Sequence, residues 1–229
     1  DPLRAWELAL AGDPGSAFGG VVALTRPIDA ALAARLTSIF LEVVIAPDVT
    51  LEAAALLAAK PNLRVLVDPH LGTPPVAGRE LRSAGAGVLA SEADVAPDAP
   101  AVWRPATSRA PTLAEIVDLD LAWRVARHVK SNAIVLARDG AVVGVGAGQM
   151  SRVDSARLAV AKAGPERAAG AACASDAFFP FPDAAEVCLA AGVRAFVQPG
   201  GSQRDAEVVA AVESAGATMV LTALRHFRH

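Results

Sequence analysis

Residues Lys130–Arg152 read KSNAIVLARDGAVVGVGAGQMSR. Two short apolar runs, Ala133–Ala137 and Ala141–Val145, meet at Asp139-Gly140. Asp-Gly tolerates the positive φ angles of a tight two-residue turn, so the segment predicts a β-hairpin. The second run passes into Gly144, Gly146 and Gly148, then polar Gln149, Ser151 and Arg152, then a helical pattern. That order sets backbone N–H groups, an amide and a guanidinium at a strand exit and a helix N-terminus, which suits a phosphate or carboxylate. A dinucleotide fingerprint is a poor match. The glycines close a hairpin rather than open a βαβ unit, and Glu166, at the required distance of about 20 residues, falls at a helix end.

Working outward, Ser151–Ala163 is predicted as a helix. Thr112–Val129 is another, opened by a Thr112-x-x-Glu115 capping signal. Near the start, Asp1 and Pro2 suit the cap and first turn of a helix Pro2–Ala11 that Gly12 ends. Apolar runs Val21–Thr25 and Leu41–Ala46 read as buried strands and Leu63–Val67 as a further strand, with helices Pro27–Phe40 and Thr50–Ala59 between them. This alternation predicts an α/β fold with a largely parallel sheet. From Asp68 to Pro111 the pattern loosens, leaving Val88–Leu89 and Val102–Trp103 as strand candidates. A boundary near Pro100–Pro111 divides the chain into subdomains 1–105 and 106–229. In the second, strands are expected at Ala171–Ala174, Val193–Val197 and Met219–Thr222, and helices at Ala184–Ala191 and Arg204–Ala215.

Composition narrows the function. At 229 residues the chain is long enough for one large or two small cores. A net charge of −3 gives no electrostatic footprint for nucleic acid. No apolar run approaches the ~18–20 residues that span a bilayer, so no membrane partner is expected. Cys173 and Cys188 are too few for a disulfide framework and form no metal-type pair, which fits a reduced, cytoplasmic interior. The chain opens Asp1-Pro2 without an initiator Met or a signal peptide, as a piece of a longer protein would.

Three features carry chemistry. Ser175–Asp183, SDAFFPFPD, places Phe178, Phe179 and Phe181 around Pro180 between Asp176 and Asp183, although aromatics make up only 4% of the chain. Core packing accounts for one or two of these rings. Flat apolar surfaces beside carboxylates suit a planar heteroaromatic ligand with N–H donors, such as a pterin or purine. The tail Arg225-His226-Phe227-Arg228-His229 is either a solvated basic end or a docked one with titratable His226 and His229. Phe18 reads as a packing residue tucked under a connecting loop, or as part of a site. Glu42, inside an apolar strand, must be paired, at a rim, or in contact with a ligand.

Read together, DPGSAFGGVVAL, EVVIAPD, KSNAIVLARDGAVVGVGAGQMSRVDSAR, SDAFFPFPDAAE, QPGGSQRDAEV and the terminal LRHFRH resemble the transformylase part of the bifunctional purine-biosynthesis family that joins AICAR transformylase to IMP cyclohydrolase. The resemblance runs in order over essentially the whole chain. It implies two cytidine-deaminase-like, three-layer α/β subdomains without zinc, the first one truncated, in a homodimer with active sites at the subunit interface. No H-x-E with P-C-x-x-C occurs, which also speaks against zinc deaminase chemistry. The implied reaction is formyl transfer from 10-formyltetrahydrofolate to the 5-amino group of AICAR. By position, Asn132 orients the reacting carboxamide and amine, and His229 lies near the transferring group. Gly19, Glu42, Asn132, Arg152 and Phe178 contact AICAR. Phe18, Pro180, Phe181, Asp183 and Arg225 form the folate pocket, and Ser131 with Asp176 resembles the family's potassium region. The family's Lys–His pair, in K-H-x-N-P-C-G, has no counterpart: no Lys-His dipeptide occurs in this sequence. The cyclohydrolase domain is expected to be absent as well. The 229 residues alone are therefore expected to transfer formyl groups weakly or not at all. The alternative is a non-catalytic nucleotide- or folate-binding module.

Overall fold

Asp139 and Gly140 turn the central hairpin with φ of 55° and 74°, as the sequence predicts. A computed structural model describes residues 1–73, 77–95 and 98–228. The chain separates into two units, Asp1–Ala96 and Pro97–His229.

In the first unit the order is α1 (Pro2–Gly12), β1 (Gly20–Ala23), α2 (Ala30–Leu36), β2 (Leu41–Ala46), α3 (Leu51–Ala58), β3 (Arg64–Val67), β4 (Arg79–Ala84) and β5 (Gly87–Glu92). Local chemistry sets the helix starts. The side chains of Asp1, Asp29 and Thr50 accept from the backbone N–H of Leu3, Leu32 and Ala53. Asp29 also explains why α2 is shorter than the apolar pattern predicts. Residues before this cap stay extended, with Ile28 bridged to Val49, and the Thr37 and Ser38 hydroxyls fold back onto helix carbonyls. Strands β1, β2 and β3 form a parallel sheet in that order. Trp6, Leu32, Leu36, Val44 and Leu57 bury one of its faces under the helices. Val21 and Leu66 remain exposed. Of the β4–β5 hairpin only β5 was legible, through the Val88–Leu89 candidate; Arg79-Glu80-Leu81-Arg82-Ser83-Ala84 has neither an apolar run nor alternation.

In the second unit a 3-10 turn at Pro100–Val102 leads to β6 (Arg104–Pro105), α4 (Leu113–Ala126), β7 (Ile134–Arg138), β8 (Ala141–Gly146) and α5 (Arg152–Ala168). Then follow β9 (Ala172–Ser175), α6 (Asp183–Ala190), β10 (Ala195–Gln198), α7 (Asp205–Ser214) and β11 (Thr218–Leu221). The strand expected at Val102–Trp103 is instead this 3-10 turn followed by a two-residue edge strand. The sheet runs β6-β11-β10-β9-β7-β8 among the described residues. Only β9, β10 and β11 are mutually parallel, so the largely parallel expectation is corrected here to a mixed sheet. The hairpin is the reason: β7 pairs antiparallel to both β8 and β9.

Period-two alternation divides the strand residues between two cores. Val135, Ala137, Ala172, Ala174 and Val197 pack under α4 with Leu119 and Trp123. Ile134, Leu136, Cys173, Phe196 and Met219 pack with α5, α6 and α7 through Ala156, Ala159, Ala184, Cys188 and Val208. The unit is thus helix–sheet–helix in three layers. Asp118 of α4 locks the hairpin by accepting from the Asp139 and Gly140 amides at 3.0 and 2.8 Å.

Candidate functional site

The hairpin glycines do a different job from anion capture. A Cβ on Gly144 would sit 2.1 Å from the Ala159 carbonyl oxygen, and one on Gly146 only 1.9 Å from that of Ser155. These glycines let α5 lie directly on β8. Of the three glycines after the turn, Gly148, with φ of 64°, supplies backbone freedom, and its N–H donates to the Lys130 carbonyl at 2.9 Å.

The polar residues after them build a cleft of about 460 Å³ in the second unit. Asn132 precedes β7, Arg152 opens α5, and Phe178, Pro180, Phe181 and Asp183 come from the loop between β9 and α6. Met150 and Phe227 also line it. Neither was among the sequence candidates for the site, although Phe227 had suggested a docked tail. Met150 is 96% exposed and sits in a polar stretch, so its sequence context carries no signal for it.

Arg152 is buried, and its guanidinium is largely committed to the protein. Nη1 donates to Asp176 Oδ1 at 2.5 Å, Ser175 Oγ at 2.7 Å and the Ala133 carbonyl at 3.4 Å; Nη2 donates to Asn132 Oδ1 at 2.9 Å. Asn132 is equally fixed, with Nδ2 donating to the Gln149 and Met150 carbonyls at 3.0 Å each. Asp176 completes the set by accepting from Ser131 Oγ at 2.6 Å. Five predicted residues or neighbours thus form one network whose orientation is set by hydrogen bonds on each side.

The aromatic loop splits by role. Phe179 is fully buried, and its N–H donates to Gln198 Oε1 at 2.9 Å, so it is a core residue. Phe178 and Phe181 face the cleft, each under a cation: the Arg225 guanidinium lies 5.1 Å from the Phe178 ring and that of Arg204 4.9 Å from Phe181. Asp183 starts α6 at the cleft edge, where it accepts from the Ala184 N–H.

Other candidates lie elsewhere. Phe18, Gly19 and Glu42 belong to the first unit. Phe18 is 74% exposed and rests on Phe40 at 5.1 Å between centroids, which overturns the buried-packing reading. Gly19 has φ of 74° and donates to the Phe40 carbonyl. Glu42 lies 3.5 Å from Arg64, the paired option for a carboxylate in a strand. His229 lies outside the described residues. His226 is buried against a carboxylate, Asp98, which sequence reading missed. The available signal was Trp103 and Trp123, because buried indoles ask for acceptors. Burial works to raise the Asp98 pKa, but hydrogen bonds from His226, Trp103 and Trp123 outweigh it and hold the carboxyl below its usual range. Cys173 and Cys188 are free, buried and 4.0 Å apart at sulfur, and the Cys173 thiol is pushed well up by the Cys188 hydrogen bond and by burial. Among the described residues no cluster of three acids, histidines or cysteines is placed to hold a metal, and no helix is long and apolar enough to cross a membrane.

Comparison with known proteins follows the same outline. A family model described as the AICARFT/IMPCHase bienzyme matches residues 1–162. The bifunctional purine biosynthesis protein PurH of Chloroflexus aurantiacus is 52% identical over 236 residues, covering 100% of this chain and 45% of that protein. PurH of Rhodospirillum rubrum is 50% identical, covering 99% and 45%, and that of Mesorhizobium japonicum 51%, covering 98% and 44%. The chain therefore spans a little under half the length of these relatives.

Proposed function

The chain belongs to the AICARFT/IMPCHase bienzyme family, and on that premise we propose that it serves purine biosynthesis by transferring a formyl group from 10-formyltetrahydrofolate to the 5-amino group of AICAR. The observation that carries this reading is the cleft itself, where a fixed amide and guanidinium face a loop of two exposed-edge aromatic rings and a carboxylate.

In this reading Phe178 packs on the AICAR ring, and Asn132, with Oδ1 able to accept a second bond, orients the carboxamide and amine. Arg152 has five N–H donors and makes four bonds to the protein, which leaves a donor for the nucleotide. Pro180, Phe181, Asp183 and Arg225 receive the folate, Asp183 facing the pterin donors. As the resemblance implies, Gly19 and Glu42 are assigned to AICAR and Phe18 to folate, and His229, outside the described residues, to the transfer step. The amine attacks the formyl carbon, its proton leaves, and N10 of the folate departs with a proton to give formyl-AICAR and tetrahydrofolate. The amine is conjugated with its carboxamide and nucleophilically weak, so positioning, base assistance and oxyanion stabilisation must all contribute.

The three-layer order of the second unit supports a cytidine-deaminase-like assignment for both subdomains. Residues 1–105 and 106–229 are proposed as the two transformylase subdomains, the first one partial. Exposed Phe18, Val21 and Leu66 support a homodimer with interface active sites, and a cytoplasmic location is part of the same proposal. Ser131 and Asp176 fit potassium poorly: the Asp176 charge is balanced by Arg152 and each of its carboxylate oxygens already accepts a bond, so no step is assigned to a cation.

A second reading, a non-catalytic nucleotide- or folate-binding module, is favoured by one observation: among the described residues that line the cleft, none is a histidine or a lysine. Loss of one acid–base partner costs about 10²–10⁴-fold. Formyl transfer to AICAR by the 229-residue chain, followed by absorbance, separates the two. Slow transfer that depends on both substrates supports the enzyme reading. Ligand binding with no transfer above background supports the module.

A further inference from the structure

Residues Leu224–Arg228 follow β11 with neither helix nor strand, yet His226 is only 2% exposed. Its ring lies 5.0 Å from Trp123 at 60°, and its Nε2 lies 3.3 Å from Asp98 Oδ2. Asp98, with its side chain 1% exposed, also accepts from Trp103 Nε1 at 2.7 Å and from Trp123 Nε1. Three N–H groups from three parts of the chain thus converge on one buried carboxylate. The indoles alone need only an acceptor, and a backbone carbonyl would serve. They do not account for a third donor brought from the tail.

That donor anchors a segment that reaches the cleft. The His226 N–H donates to the Asp176 carbonyl at 3.0 Å, and the Arg228 N–H to Ser131 Oγ at 3.1 Å; the Ser131 N–H donates to the Arg228 carbonyl at 2.9 Å. Between them, Phe227 lines the cleft.

We propose that Asp98 and His226 form a clasp that docks the tail and so positions Phe227 as a wall of the cleft and Asp176–Ser131 as the support of Arg152. Both are positioning residues, and neither lines the cleft. Ordering the residues Leu224–Arg228 costs conformational entropy of the same order as the few bonds that hold them, so one buried charge-assisted bond decides between docked and released tail. The clasp stands on geometry alone, and only its effect on ligand rests on the proposed function.

The test compares the 229-residue chain with Asp98→Asn, His226→Phe and His226→Gln by amide hydrogen exchange and by NMR of the indole N–H groups. His226→Phe keeps a ring packed on Trp123 but removes the bond to Asp98. Exchange at the backbone amides of positions 131 and 226 is expected to rise about tenfold or more in His226→Phe, with β7 and β9 still protected. His226→Gln, which retains an N–H donor, is expected to restore slow exchange. Asp98→Asn is expected to shift the Trp103 and Trp123 indole resonances. Unchanged exchange in His226→Phe, or equal exchange in the Gln and Phe variants, overturns the clasp, even if Asp98→Asn fails to fold. AICAR titration adds the functional arm: affinity about tenfold weaker in His226→Phe is expected, and unchanged affinity overturns the positioning role. Absence of binding by the unaltered chain contradicts the cleft reading instead, and exchange still decides the clasp.

Discussion

Arg152 Nη1 and Asp176 Oδ1 meet at 2.5 Å with side-chain exposures of 6% and 0%, joining the start of α5 to the loop after β9. A charge pair this deep is held by its own geometry. Removing one partner strands the other in a medium that solvates it poorly. The guanidinium that family resemblance assigns to a nucleotide is therefore also a structural strut.

Arg152→Ala is accordingly expected to destabilise the second unit by about 3–5 kcal/mol, measured by urea unfolding. Arg152→Lys should recover only part of this, because a point ammonium cannot reproduce bonds to Asp176, Ser175 and Asn132 together. Stability equal to the unaltered chain in Arg152→Ala would remove the strut role.

Gly146→Ala forces a methyl to within 1.9 Å of the Ser155 carbonyl oxygen, against helix backbone that cannot rotate away. A loss of about 1–3 kcal/mol or more is expected, read as a lower denaturation midpoint. Gly140→Ala meets no atom within 4 Å and costs only its φ of 74°, so it should be milder, of order 1 kcal/mol.

Phe178 and Phe179 are neighbours with opposite consequences. Phe179→Ala empties a fully buried site and should cost about 3–5 kcal/mol of stability. Phe178→Ala removes a half-buried ring from the cleft and should weaken AICAR binding while leaving the unfolding midpoint nearly unchanged. Two variants analysed by calorimetry and unfolding settle the division.

Acid should loosen the tail. The Asp98 carboxyl is held below its usual value of 3.8, as Glu115 is below 4.5, where burial works upward and the Arg109 and Thr112 bonds outweigh it. A depressed folded-state pKa contributes stability that is fully present above the unfolded value and lost as pH falls through the folded one. Unfolding free energy should therefore decline below about pH 4, less steeply in Asp98→Asn. An identical acid profile in that variant would contradict the assignment.

Where local chemistry dominates, sequence and structure agree closely. Thr112 and Glu115 form the capping box, Asp139-Gly140 the turn, and Leu41–Ala46 a strand with the bounds expected. The sheet of the second unit was less legible, since nothing local says that β7 will pair antiparallel to β9 as well as to β8. For the cleft, residue types pointed to a loop that lines it, but not to which ring of Phe178, Phe179 and Phe181 turns into the core. That depends on Gln198, nineteen positions away, waiting for the Phe179 N–H. Asp98 was invisible for the same reason: its partners lie 5, 25 and 128 positions along the chain.

The most direct test of the cleft as an AICAR site is calorimetric titration of AICAR into the 229-residue chain and into Phe178→Ala. Saturable binding to the first, weakened about tenfold or more in the second at an unchanged unfolding midpoint, is the expected result. No heat of binding from the unaltered chain, or equal affinity in both, would contradict it.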